Sequence, residues 1–242
     1  MFHITHRLPV TDSGFFLTKE TGYFKQVPST QFYRVTFDVD AYDDQLFDQF
    51  DIDLPIKLST AIIKRKAEYL AGRYCAKTLL DKRHFEDFDL QSGAGRAPCW
   101  PESIVGSISH VNDTAMAVVD SNTNLHTLGI DVEKLITPSI INTTSATILT
   151  KDEISLLKQC ELDFSHAFTV TFSMKESLYK ALYPQVNKFF DFHSAEIISI
   201  SEELQQITLK LTKTLSEHYR EGHLFIGHYS IESNSVTTLI LH

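Results

Sequence analysis

The chain has 242 residues, enough for one large domain or two small ones around a substantial core. Hydrophobic residues make up 43% and charged residues 22%, with 9 Gly and 7 Pro, a globular balance that excludes a disordered or fibrous polymer. Against 22 Lys and Arg stand 31 Asp and Glu, a net charge of −9, which argues against nucleic acid as a partner but leaves room for a local basic pocket.

The opening MFHITHRLPV lacks the basic-then-apolar plan of a secretory signal, and no apolar run reaches the about 20 residues that span a bilayer. No transmembrane segment and a cytoplasmic location are therefore expected. Cys75, Cys99 and Cys160 are odd in number, far apart and outside any C-x-x-C pattern, so reduced thiols are expected rather than a disulfide framework or a zinc site.

In chain order, residues 1–55 mix short β-like runs, such as 31–40 (QFYRVTFDVD), with acidic loop sequence over 41–53. From Ser59 or Thr60 the pattern turns helical: Ile63, Ala67, Leu70, Tyr74 and Thr78 recur at three- and four-residue steps to about Asp81, with a hydroxyl residue as N-cap. Lys66, Arg73 and Lys77 return to nearly one azimuth of that helix, with Arg65 beside them. This basic stripe reads either as an anion-binding face or as an ordinary solvated one.

Residues 91–101 (QSGAGRAPCWP) hold two Gly and two Pro and form a loop. The runs 115–120 and 126–133 flank Ser121, Asn122, Thr123 and Asn124, which reads as a hairpin turn. Thr150 and Glu153 make a capping box for a helix over 151–160. A second helix is expected over 166–182, capped by Ser165 and stopped by Pro184. The runs 195–200, 205–211, 223–231 and 236–242 read as strands, with a helical turn near 212–219. The class is α+β, and the order helix then strands occurs twice, which suggests two similar halves, 1–125 and 126–242, without a detectable sequence repeat.

Asp131 and Glu133, two apart on a strand, project from one face and repel unless a cation neutralises them. The alternative is the solvated outer face of a hairpin, although Gly129 and Ile130 favour a closely approached, buried strand. Phe172, Glu176 and Lys180 share one side of the later helix, where Glu176 and Lys180 could be a simple i,i+4 ion pair; Lys175 lies on another azimuth and reads as surface charge. His110 closes Gly106-Ser107-Ile108-Ser109-His110, an order that fails the serine-hydrolase elbow. No P-loop, dinucleotide fingerprint or H-E-x-x-H helix is present.

The order of these pieces, RKAEYLAGRYCAK (65–77), GRAPCWP, GSISH, GIDVE and FSMKESLYKAL, resembles the 4′-phosphopantetheinyl transferases of the two-lobed type, in the branch resembling enterobactin synthetase component D. The motifs span about 59–192. The resemblance implies two similar lobes related by pseudo-twofold symmetry, and transfer of the phosphopantetheine arm of coenzyme A to a serine of an apo acyl, peptidyl or aryl carrier domain, in siderophore or nonribosomal peptide synthesis. It implies that Asp131, Glu133 and Glu176 hold Mg²⁺, with Mn²⁺ as a substitute, a hard cation suited to carboxylate and phosphate oxygens. By the same resemblance Glu176 takes the proton of the carrier serine and Lys180 faces the leaving phosphate. Ser109 and His110 contact CoA phosphate, Arg65 and Arg96 grip its nucleotide end with Arg73 as a further candidate, and Phe172 orients the helix by packing. Both halves lie in one chain, so a monomer is expected. The region 137–150 is the expected carrier-docking segment. Two readings compete: a non-catalytic CoA- or carrier-binding module, and another Mg²⁺-dependent phosphoryl transferase or hydrolase.

Overall fold

The structure, a computed structural model, describes residues 2–10, 14–121 and 125–242. Packing divides the chain into two units, Phe2–Leu125 and His126–His242, each with its own five-stranded antiparallel sheet.

The N-terminal unit contains β1 (Phe2–Leu8), β2 (Phe16–Phe24), β3 (Val27–Phe37), the short α1 (Gln45–Gln49), α2 (Ile63–Asp81), β4 (Val105–Val111) and β5 (Thr114–Asp120), with sheet order β1-β2-β3-β5-β4. The three- and four-residue apolar spacing of α2 buries Ala67, Leu70, Ala71, Cys75 and Leu79 against β3, β4 and β5. The helix starts later than the hydroxyl residues suggest: Ile62 stands at the N-cap without a side-chain bond, and the Ser59 hydroxyl donates to the Ile56 carbonyl of a preceding 3₁₀ turn. A cap needs a free oxygen at the first turn, and this hydroxyl is committed one turn earlier. The basic stripe is also not a solvated face. Lys66 pairs with Asp44 at 2.9 Å and Lys77 with Asp51 at 3.0 Å, so the acidic segment 41–53 neutralises its two lysines.

The C-terminal unit contains β6 (Leu128–Lys134), α3 (Pro138–Ile148), α4 (Lys151–Gln159), α5 (Phe164–Val186), β7 (Ala195–Ser201), β8 (Gln206–Leu211), β9 (Leu224–Glu232) and β10 (Ser235–Leu241), in sheet order β6-β10-β9-β8-β7. A hairpin of β5 with β6 does not form. β5 pairs with β3 and β4, whereas β6 pairs with β10 in the other sheet. Alternating polarity marks a strand but not its partner, and the two runs join different cores. Residues 122–124 of the expected turn lie outside the described residues.

The two units share a kernel. A strand, a long helix and a hairpin give sheet order β3-β5-β4 under α2 in one and β6-β10-β9 under α5 in the other. The remaining two strands extend opposite edges: β1 and β2 beyond β3, β8 and β7 beyond β9. This is the α+β, twice-used architecture of the sequence reading, and it leaves β4 and β6 as edge strands.

The α4 capping box forms in both directions, with Glu153 Oε2 accepting from Thr150 N at 2.8 Å and Thr150 Oγ1 from Glu153 N at 3.2 Å. α5 is longer than 166–182. Asp163, not Ser165, caps it by accepting from Ser165 N and His166 N. Pro184 sits inside the last turn, where it forfeits a single backbone bond, and the helix ends at Asn187 with φ 52°. Residues 212–219 form bends closed by Leu215 N to Tyr219 O at 2.8 Å rather than a helical turn.

Candidate active site

Gly129, Asp131 and Glu133 alternate along β6 on the side covered by α5. A Cβ on Gly129 would stand 2.0 Å from the Ser177 carbonyl oxygen and 2.7 Å from Ala181 N, so glycine is what lets helix and strand approach this closely. The approach brings Ser173 and Lys180 onto Asp131, which is 3% exposed. Its Oδ1 accepts from Lys180 Nζ at 2.7 Å and its Oδ2 from Ser173 Oγ at 2.8 Å. Ser173 and Ser177 both meet the Thr238 hydroxyl, at 2.9 and 2.7 Å, completing a buried polar layer between α5, β6 and β10. Asp131 is therefore not an acid of a solvated hairpin face, and Lys180 reaches across to β6.

Three carboxylates share one field. Burial, reinforced by Asp131 and Glu176 and opposed by Lys180, pushes Glu133 up to about 8. Burial and then Asp131 raise Glu176, again against Lys180. Such a group holds excess negative charge that a cation relieves. Among the described residues no three His, Cys, Asp or Glu side chains already form a metal cage, and Asp131 is turned to Lys180 and Ser173. The donor chemistry nevertheless fits a hard divalent ion, and the Lys180 ammonium stands in for one on Asp131.

Lys175 is not surface charge. Its side chain is 2% exposed and pairs at 2.7 Å with Glu153, itself 1% exposed, while donating to the carbonyls of Ile148 at 2.9 Å and Phe192 at 3.1 Å. Burial lowers the Lys175 ammonium and Glu153 opposes that shift. A charge off the Glu176 side is exposed only if a helix has one covered side, and α5 is covered on several, by β6, β9, β10, α3 and α4. Phe172 packs on Phe192 with ring centroids 5.6 Å apart.

In the N-terminal unit, Arg65, Arg73, Arg96 and His110 line one pocket of about 230 Å³, with Glu68 and Ser92. Arg65 Nη1 lies 2.8 Å from His110 Nε2. Arginine cannot accept, so this nitrogen carries the lone pair and the ring proton sits on Nδ1, which lies 3.6 Å from Glu68 Oε2. Arg73 is 7% exposed and lies over the Tyr69 ring; its Nη2 donates to Ser92 Oγ at 2.6 Å, and its buried Nη1 has no partner. Arg96 is exposed on the 92–98 loop, at φ 66° after Gly95 at φ 62°. Ser109, 3% exposed, alternates to the other side of β4 from His110 and does not line the pocket. A larger cavity of about 530 Å³ shares Tyr69 and Arg73, but Asp51, Asp53, Asp87 and Asp89 line it and suit no anion.

Residues 55–120 match the model of the 4′-phosphopantetheinyl transferase N-terminal domain, and residues 127–237 that of the 4′-phosphopantetheinyl transferase superfamily. The chain is 35% identical over 180 residues to enterobactin synthase component D of Escherichia coli K12, covering 74% of this chain and 78% of that protein. The chain belongs to the 4′-phosphopantetheinyl transferase superfamily. Enterobactin synthase component D of Salmonella austin is 35% identical over 184 residues, covering 76% and 75% of the two chains. The 4′-phosphopantetheinyl transferase PptT of Mycobacterium tuberculosis is 26% identical over 142 residues, covering 58% and 61%.

This phosphopantetheinyl transferase is an enzyme. The arginine pocket falls within the N-terminal family match and the carboxylates within the second. No helix among the described residues is long and apolar enough to cross a membrane. Glu68, Ser92, Ser173, Ser177 and Thr238 were not singled out in the sequence, and Lys175 and Glu153 carry contacts it did not suggest. Glu68 was legible through its i,i+3 spacing from Arg65, and Ser173 through its place in FSMKES. Thr238, Lys175 and the second role of Glu153 depend on contacts far apart in sequence and left no local signal.

Proposed function

We propose that this transferase moves the 4′-phosphopantetheine arm of CoA onto the serine hydroxyl of an apo acyl, peptidyl or aryl carrier domain and releases 3′,5′-ADP, serving siderophore or other nonribosomal peptide synthesis. The observation that carries this reading is the buried Asp131, bridged to Lys180 at 2.7 Å inside the shared field of Glu133 and Glu176. The assignment to siderophore synthesis draws on the named enterobactin synthase relatives.

The carrier serine oxygen forms a new bond to the pantetheine-side phosphorus of the CoA pyrophosphate while the bond from that phosphorus to the bridging oxygen breaks. Glu176 takes the serine proton, directly or through a water. General-base help of this kind typically contributes about 10²–10⁴-fold. Lys180 leaves Asp131 for the departing phosphate and neutralises the charge that grows there. Asp131, Glu133 and Glu176 would hold Mg²⁺, or Mn²⁺ in its place, which when bound supplies positive charge to the pyrophosphate. Arg65, Arg73 and Arg96 bind the nucleotide end, where guanidinium groups lining one pocket suit an anion such as the 3′-phosphate. His110 orients Arg65 and contributes to the phosphate pocket; Ser109 supports the same strand from its buried side.

One chain carries both sets of residues, so we propose a monomer, which an obligate trimer in gel filtration would contradict. Three free thiols fit a reducing, cytoplasmic setting. The test is incubation with CoA, Mg²⁺ and apo carriers of the three kinds. One carrier should gain the mass of a single phosphopantetheine. No shift with any of them, or a shift that survives Glu176→Gln, rejects the reading.

A further inference from the structure

We propose that Lys175 and Glu153 are positioning residues that set the rotation and axial placement of α5, so that Glu176 and Lys180 are presented at Asp131. The inference rests on the catalytic reading of Glu176 given above.

Every polar atom of the pair is in use. The Lys175 ammonium has three donors and meets three acceptors: Glu153 Oε1, the Ile148 carbonyl and the Phe192 carbonyl. Glu153 Oε1 also accepts from Ile197 N at 2.8 Å, while Oε2 closes the capping box with Thr150 N. One buried nitrogen thus joins the last residue of α3, the first turn of α4 and the 3₁₀ turn at Phe192–Ser194 to α5, and the Glu153 carboxylate it holds adds the edge strand β7.

Desolvating two charges offsets most of their attraction, so such a pair is a poor way to add stability and a good way to select one arrangement. Lys175 directly precedes Glu176, and adjacent helical residues differ by about 100° in azimuth, so holding one fixes the other. A second constraint acts through β6, where Gly129 lets the Ser177 carbonyl and Ala181 close on the strand. Between these two holds α5 can neither turn nor slide without breaking hydrogen bonds on one side or clashing on the other.

Two variants test this. Glu153→Gln keeps the volume and leaves both carbonyl bonds of Lys175 available, but its single amide oxygen replaces two accepting oxygens, so each variant is read on the protein that circular dichroism shows to be folded. Lys175→Met with Glu153→Gln removes both charges at similar volume. Each should show at least a tenfold lower kcat and at least a tenfold higher Mg²⁺ concentration for half-maximal rate, with the KM for CoA unchanged, a split that loss of folded protein alone would not produce. Wild-type kcat and Mg²⁺ dependence in folded Glu153→Gln would overturn the proposal. Glu176→Gln is measured alongside. If it retains full transfer, the catalytic reading falls; if it abolishes transfer while the pair variants match wild type, the positioning role alone falls.

Discussion

Lys180 Nζ and Asp131 Oδ1 stand 2.7 Å apart, joining residues forty-nine positions apart in the chain. The carboxylate is the more buried member, with a side chain 4% exposed and a second bond from Ser173; the lysine side chain is 27% exposed. The two roles proposed for these residues, metal ligand and phosphate partner, therefore meet in one contact, which Lys180→Met probes.

Lys180→Met leaves Asp131 buried with its ion-pair partner gone. Stability without divalent metal should fall by about 1–3 kcal/mol, and Mg²⁺ should restore more of it than in wild type. Thermal unfolding with and without Mg²⁺ checks both. Transfer should fall roughly 10²–10³-fold, the usual loss when one charge-stabilising donor is removed.

Glu133 makes metal-free stability depend on pH. Its folded value, about 8, lies above the ordinary carboxylate value, so the folded state holds the extra proton. The contribution is full below the unfolded value of about 4.3 and is lost as pH rises through about 8. Denaturant titrations near pH 6 and near pH 9 should show that loss of about 1–3 kcal/mol in wild type, a smaller loss in Glu133→Gln, where Glu176 alone is raised, and little in wild type with saturating Mg²⁺.

Gly129→Ala would force β6 and α5 apart, since the new carbon would meet the Ser177 carbonyl at 2.0 Å. We expect a loss of about 3 kcal/mol, read by chemical denaturation, and a loss of specific activity in the protein that remains folded, because the same shift separates Asp131 from Ser173 and Lys180.

Arg73→Met removes the buried donor in the N-terminal pocket. The KM for CoA should rise about tenfold with kcat nearly unchanged, as expected for about 1.5 kcal/mol of charge-assisted binding. Dephospho-CoA, which lacks the 3′-phosphate, should be used equally well by variant and wild type. An equal change for both substrates would assign Arg73 to another part of the nucleotide.

What was legible in the sequence was local. The Thr150 and Glu153 capping box depends on four consecutive residues and forms as read, and the motif acids sit on one strand and one helix. The second bond of Glu153, through Oε1 to Lys175, depends on α5 arriving from elsewhere, so Lys175 read as surface charge. The same limit explains β5 and β6: each pattern announced a strand, but the partner of β6 is β10, about a hundred residues on. Asp163 displaced Ser165 as cap of α5 because its carboxylate reaches two backbone N–H groups, a choice between neighbouring candidates that periodicity does not make. Ser109 shows the converse. Its motif placed it with His110, but strand alternation turns it inward.

Mn²⁺ binding followed by electron paramagnetic resonance in the presence of CoA tests most directly whether Asp131, Glu133 and Glu176 serve one ion. Asp131→Asn, Glu133→Gln and Glu176→Gln should each weaken Mn²⁺ at least tenfold while CoA still binds. Unchanged Mn²⁺ affinity in any one of the three folded variants would contradict the account.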